Sequence, residues 1–131
     1  MLIQRAALVF GIVFILVGVL GFVVTGGSMD ADPATAPRLL GLFPVNVLHN
    51  VVHLALGVWG LIASRAWGSA KTYCLVAGAL YLVLAGLGFV APDLFGLVPI
   101  GGNDIALHAV LGSALLVVGA TAGKNDTYVR V

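Results

Sequence analysis

Four side chains have the types and spacing to perform chemistry together: His49, His53, Asp104 and His108. Each pair is four residues apart, which places both members on one face of a helix, one turn from each other. Imidazole and carboxylate groups in such a set are ligands that Zn, Cu or Fe accept. Two imidazoles from different helices can also bind the iron of a haem from opposite sides.

The residues leave three main uses of this set open, with a pigment ligand or a proton relay as further alternatives. The first is a hydrogen-bonded polar network that fixes the register of apolar helices, with Asn46, Asn50 and Asn103 as further members. The second is haem b held non-covalently by His53 and His108. The third is a transition metal held by all four titratable residues of the set. The sequence itself requires no cofactor.

Other chemistries are excluded by composition. Glutamate is absent and Cys74 is the single cysteine, so the chain has no HExxH motif, CxxC motif or internal disulfide. Ser64 and Ser113 have no histidine at a suitable spacing for nucleophilic catalysis. The net charge of +1 gives no basic face for a nucleic acid. We therefore expect no catalytic residue and no enzymatic activity.

The elements that position these residues are predicted to lie in a lipid bilayer. The 131 residues are 61% hydrophobic and 8% charged, and the mean hydropathy is +1.16. A soluble domain has about 25% charged residues. Uncharged runs of 24, 26, 21 and 19 residues separate the charges, and about 20 apolar residues span a bilayer as a helix. We predict an all-α integral membrane protein with helices near 6–24, 45–64, 73–91 and 104–122.

The two halves of the chain repeat each other. A shift of 67 aligns Leu8–Val23 with Leu75–Val90 at seven identities in 16, and a shift of 55 aligns Ala36–Gly57 with Ala91–Gly112 at nine in 22. The repeats cover residues 5–64 and 72–122 of a single membrane domain, 1–131. We predict a four-helix transmembrane bundle made by parallel duplication of a two-helix hairpin. The alignment places His53 on His108 and His49 on Asp104.

Small residues and prolines predict how the helices pack and begin. Glycines at helical spacing indicate close helix contacts, and the candidates are Gly11, Gly18, Gly57, Gly60, Gly78 and Gly112. Pro44 and Pro99 are expected in the first turn of the second and fourth helices. Asn103 is expected to cap the fourth helix, where Asp104 would complement the helix dipole.

The distribution of basic residues predicts the orientation. One side of the predicted membrane has five of them, Arg5, Arg65, Lys71, Lys124 and Arg130, whereas the other side has only Arg38. The excess of Lys and Arg marks the cytoplasmic side, so both termini are expected in the cytoplasm. Trp67 and Tyr73 would then lie at the inner interface.

Two segments carry a resemblance to a known family. LFPVNVLHNVVHLALG and LVPIGGNDIALHAVLG, in this order, resemble the small four-span bacterial membrane proteins known as domain of unknown function 4383. The likeness covers nearly the whole chain. It implies a four-helix protein of the bacterial inner membrane and implies no particular activity.

The residues favour a non-enzymatic function. We expect a structural or accessory subunit that works beside other membrane proteins, or self-associates, through its lipid-facing helix surfaces. The alternative is a haem- or metal-binding protein for electron transfer or sensing. A small transporter or channel ranks third. Polar and small residues follow one face of the second and fourth helices, but in the predicted cytoplasmic half this face offers only Gly57, Gly60, Ser64 and Gly112.

Overall fold

Four helices account for most of the computed structural model, which describes residues 1–123. Their bounds are Leu2–Thr25 (α1), Val47–Ala63 (α2), Trp67–Val90 (α3) and Asn103–Thr121 (α4). The prediction of an all-helical chain with four helices is thus confirmed, apart from one very short strand pair. Lys124 and Arg130, which contribute to the predicted orientation, lie outside the described residues.

Three of the helices are long and apolar enough to cross a membrane: α1, α3 and α4. The helix α2 is also apolar but has 17 residues, a length of about 26 Å at 1.5 Å per residue. The outward-facing side chains are mostly aliphatic or aromatic, and Val23, Phe89 and Val90 are each more than 70% exposed. Such a continuous apolar exterior is typical of a surface covered by lipid or protein.

The start of α3 differs from the prediction. The helix begins at Trp67 instead of residue 73, so the connection from α2 is a tight turn in which Ala66 N–H donates to the Ala63 carbonyl. The prediction began this uncharged run after Lys71, but the lysine lies within α3 and its Nζ donates to the Ala122 carbonyl at 3.0 Å. Tyr73 is fully buried within the protein.

The prolines do not lie in the first turns of α2 and α4. Pro44 belongs to a two-residue strand, Phe43–Pro44 (β2), which pairs antiparallel with Arg38–Leu39 (β1). Pro99 precedes α4 by several residues. Proline lacks an N–H and is therefore acceptable at the edge of such a minimal ladder. The true N-caps are Asn46 for α2 and Gly102 for α4.

The segments before α2 and α4 share part of their conformation, although only the first forms a strand pair and only the second has a left-handed residue at Leu94. Leu40 and Phe95, aligned by the shift of 55, have φ angles of 56° and 59°, and the glycine after each is also left-handed. Non-glycine residues rarely adopt this region. Val45 N–H donates to the Pro37 carbonyl, and the aligned Ile100 N–H donates to the Pro92 carbonyl. The sequence repeat therefore coincides with a turn that is repeated at these positions.

Close glycine contacts join α1 to α2 and α3 to α4, forming two hairpins. A Cβ added to Gly11 would lie 2.9 Å from both the Gly57 carbonyl oxygen and the Leu61 nitrogen. A Cβ added to Gly78, which the shift of 67 aligns with Gly11, would lie 2.7 Å from the Leu116 nitrogen and 3.0 Å from the Gly112 oxygen. The other two predicted packing glycines, Gly18 and Gly60, also lie against neighbouring helices.

Candidate functional site: a buried His–Asp–His cluster

The first turns of α2 position His49 and His53. Asn46 caps the helix, because its Oδ1 accepts a hydrogen bond of 2.9 Å from the His49 backbone N–H. This cap fixes where the helix begins and hence which face carries the two histidines. The Pro44 carbonyl also interacts with the His49 ring. Both histidines are buried, at 4% and 7% exposure.

The first turns of α4 position Asp104 and His108. Gly102 has a φ of 63°, which lets the chain turn sharply into the helix. Asp104 and His108 are each 2% exposed. A carboxylate in the first turn is favoured by the helix dipole, but here it is directed into the protein and away from solvent.

Three of the four predicted side chains form a compact group across the two hairpins. The Asp104 Oδ2 atom lies 3.4 Å from His108 Nδ1 and 3.8 Å from His49 Nε2. One ligand atom from each residue lies within 4.8 Å of the other two. We call this group the His–Asp–His cluster. Among residues 1–123, the two histidines are the only groups within ion-pair distance of this carboxylate.

His53 lies beside the cluster and is not part of that compact group. Its ring stacks on His49 with centroids 4.6 Å apart, whereas His49 and His108 are 6.0 Å apart. The four-residue ligand set predicted from the sequence is thus arranged in the structure as three ligand groups and one adjacent imidazole.

Two aromatic residues that sequence reasoning did not select complete the centre. The ring centroids of Phe14 and His53 are 5.9 Å apart. Those of Tyr81 and His108 are 4.8 Å apart, with the two rings in an edge-to-face arrangement. The two aromatic rings stack on each other at 5.3 Å. Phe14 and Tyr81 are aligned by the shift of 67, so an aromatic residue at the same place in both repeats was the signal available in the sequence.

The asparagines bond to other groups. Asn50 Nδ2 donates to the Thr25 hydroxyl at 3.0 Å, and Asn46 Nδ2 donates to the Leu97 carbonyl at 2.8 Å. Asn103 Nδ2 donates to the Leu42 carbonyl at 3.2 Å, and it is the first residue of α4 instead of its cap. The amides of Asn46 and Asn103 join the two hairpins, whereas that of Asn50 joins α2 to α1 within the first hairpin. None of these three bonds involves a histidine ring.

Several polar atoms at this centre are buried without a hydrogen bond in the described part of the chain. They are His49 Nδ1, His53 Nδ1, Asp104 Oδ2 and His108 Nδ1. Leaving a buried polar atom unsatisfied costs about 1–3 kcal/mol. Native proteins rarely retain several such atoms in one place without a bound species that satisfies them.

The cluster has the donor set of a metal site. Zinc binds imidazole nitrogen and carboxylate oxygen at about 2.0–2.2 Å, so two ligand atoms of a tetrahedral site are separated by about 3.4 Å. The two distances to Asp104 Oδ2 are 3.4 and 3.8 Å. The two histidine nitrogens lie within 4.8 Å of each other, so metal binding would bring them closer by up to about 1.4 Å.

Fold and site together define a small helical protein with membrane-type helices and a buried cluster of two histidines and an aspartate. It belongs to the family described as domain of unknown function (DUF4383), whose profile matches residues 4–121. This confirms the resemblance drawn from the two segments that contain the cluster. No curated protein and no solved structure matches the chain.

Proposed function

We propose that this protein binds one divalent transition-metal ion between its two hairpins, with His49, Asp104 and His108 as ligands. The observation that carries the proposal is the buried geometry of the cluster, in which Asp104 Oδ2 lies 3.4 Å from His108 Nδ1 and 3.8 Å from His49 Nε2 without making a hydrogen bond among residues 1–123. A metal ion would be bound by Asp104 Oδ2 and His108 Nδ1, which are both unsatisfied, and by His49 Nε2. It would also supply the positive charge that the buried carboxylate lacks.

A metal ion fits this geometry better than the other uses considered from the sequence. A purely hydrogen-bonded network would pair the histidines with the asparagines, but the Nδ2 groups of Asn46, Asn50 and Asn103 donate to groups outside the cluster. A haem between His53 and His108 would have to fit where the His49 ring already packs against both. The ion needs no such displacement.

Three protein ligands leave one coordination position for a further group. Structural zinc sites usually have four protein ligands, whereas sites that bind a water or a substrate keep a position open. The unligated imidazole of His53 stacks on His49 beside the cluster. We therefore favour a metal site that binds an exchangeable ligand over one that only stabilises the fold.

We further propose that all four helices span the bacterial inner membrane, with both termini in the cytoplasm. The glycine contacts along α1 and α2 hold these helices side by side over several turns. A helix of about 26 Å is accommodated by modest thinning of the bilayer. The matched loop conformations and matched glycine contacts support an origin by duplication of one hairpin.

Metal analysis of the purified full chain tests the metal proposal. The protein is stripped with a chelator, reloaded with zinc and dialysed, and zinc per chain is measured by elemental analysis. We expect about one ion per wild-type chain and at least about a tenfold weaker affinity for His49→Asn and His108→Asn. His53→Asn is the matched control and should keep the ion. Equal zinc retention by all four proteins, or none by the wild type, would contradict the proposal.

The accessory-subunit hypothesis stays a prediction and is compatible with a metal site. It is supported by the apolar exterior, which includes Val23, Phe89 and Val90. Copurification from membranes tests it: a stoichiometric partner subunit is expected, and a protein that is always alone and monomeric in several mild detergents contradicts it.

A further inference from the structure

Two cavities flank the His–Asp–His cluster on opposite sides. One, of about 150 Å³, lies between α2 and α3 and is lined by Leu80, Leu84 and Val98 among others. The second, of about 190 Å³, lies between α1 and α4 and is lined by Val13, Val17 and Phe43 among others. We call them the α2–α3 cavity and the α1–α4 cavity. Both are located where the two hairpins meet.

The two cavities correspond to each other under the sequence repeat. The shift of 67 aligns Val13 with Leu80 and Val17 with Leu84, and the shift of 55 aligns Phe43 with Val98. Each cavity is therefore built from the same positions of opposite repeats. A matched pair of this kind is unlike the irregular voids that imperfect packing leaves in a core.

The cavity walls are apolar, and the polar groups of the lining come from the centre of the protein. His53, Tyr81 and His108 line both cavities. His53 is outside the metal-ligand group, and its buried Nδ1 has no hydrogen-bond partner among residues 1–123. It is thus available to hydrogen-bond a ligand in either cavity.

Size and surroundings indicate the class of ligand. An apolar cavity of about 150 Å³ is known to hold one benzene ring. Val13 and Leu80 are each 39% exposed on the apolar exterior, so the cavities adjoin the acyl chains if the helices span a bilayer. We propose that each cavity binds a lipid-soluble molecule with one six-membered ring and a hydrogen-bonding oxygen, the chemistry of a quinone head group, and that the single N–H of the neutral His53 ring donates to the oxygen of the ligand in one cavity at a time.

Paired probes test this proposal in proteoliposomes of the full-length protein. Tetramethyl-1,4-benzoquinone and tetramethylbenzene have similar rings, but only the first has oxygens. Each is equilibrated with proteoliposomes and with protein-free liposomes of the same lipid, and the excess retained per chain is measured. We expect saturable retention of up to two quinones per chain, one for each cavity, and about tenfold weaker retention of the hydrocarbon.

Matched variants locate the bound probe. Val17→Phe fills the α1–α4 cavity and Leu84→Phe fills the α2–α3 cavity, so each should remove one of the two binding events. Their controls are the exposed neighbours Leu16→Phe and Val83→Phe, which should change nothing. His53→Leu should abolish the preference for the quinone, and His53→Gln should keep part of it, because glutamine can still donate a hydrogen bond.

The outcomes separate this proposal from the metal proposal, on which it does not depend. The probes are measured on metal-stripped and zinc-loaded protein alike. No excess over protein-free liposomes, equal retention of both probes, or equal loss in the cavity variants and their controls would each overturn the ring-binding proposal. Zinc content of the same samples reports independently on the metal site.

Discussion

Asp104 is the residue whose environment is least like that of an ordinary surface carboxylate. It is 2% exposed, and its Oδ2 has two imidazoles nearby but no hydrogen bond from any group in residues 1–123. An ionised carboxylate buried in this way destabilises a protein unless a cation or several donors compensate. The side chain is therefore expected to affect stability in opposite directions with and without a metal ion.

The substitution Asp104→Asn tests that expectation. Without metal, we expect the variant to unfold at the same temperature as the wild type or higher, because a neutral amide replaces a buried acid of the same size. With zinc at 100 times its dissociation constant, the wild type should gain about 2.7 kcal/mol, and the variant should gain much less. Thermal unfolding in detergent, followed by circular dichroism, measures both.

Two results would contradict this account of Asp104. One is a lower unfolding temperature of Asp104→Asn in the absence of any metal, which would show that the carboxylate stabilises the fold through the protein alone. The other is an equal gain from zinc in both proteins. Asn103→Ala is the control substitution, since its side chain bonds the Leu42 carbonyl outside the cluster.

At the scale of the elements, the hairpins depend on backbone contact between helices. Gly11 and Gly78 occupy aligned positions and each approaches the backbone of the facing helix. Gly86, in contrast, would place an added Cβ at least 4 Å from any neighbour. Substituting these three glycines therefore distinguishes the effect of close helix packing from that of helix propensity. Only Gly11 and Gly78 have no room for a methyl group.

Alanine substitutions measure this difference. Gly11→Ala and Gly78→Ala should each lower the free energy of unfolding by about 1–3 kcal/mol, because the helices must move apart. Gly86→Ala should leave it unchanged or raise it by up to about 1 kcal/mol through helix propensity. Reversible unfolding in mixed detergent micelles gives the three values. Similar effects of all three substitutions would show that the glycine contacts do not determine packing.

The sequence predicts the helices better than the segments between them. Uncharged runs locate all four helices, because a long apolar segment must satisfy its own backbone hydrogen bonds. The start of α3 is missed because Lys71 reads as a loop charge, although its amine reaches the end of α4. The β1–β2 pair depends on Leu40 in a left-handed conformation, and residue type gives no signal for that.

The site is also predicted only in part, because the sequence indicates backbone positions but not side-chain directions. Helical spacing and the repeat identify His49, His53, Asp104 and His108 as neighbours, since both depend only on backbone geometry. Which three of them form the compact group depends on side-chain directions, and His53 instead stacks on His49. Periodicity specifies a face of a helix, but it does not specify a rotamer.

For the molecule as a whole, the question is how often the chain crosses the membrane. The helices α1, α3 and α4 have spanning length, and α2 is shorter. If α2 crosses, the loop after α1 and the loop after α3 lie on one side, and the turn between α2 and α3 lies on the other. If α2 does not cross, the loop after α1 and this turn lie on the same side.

Single cysteines in a Cys74→Ala background distinguish these topologies. Ala34, Ala66 and Asp93 are exposed and report on the first loop, the α2–α3 turn and the second loop. With four spans and both termini inside, a membrane-impermeant maleimide should label Ala34→Cys and Asp93→Cys in intact bacterial cells. Ala66→Cys should react only after permeabilisation, because the excess of Lys and Arg keeps Arg65 and Lys71 in the cytoplasm. Labelling of Ala34→Cys and Ala66→Cys from the same side would show that α2 does not cross the membrane and would remove the basis for a parallel repeat.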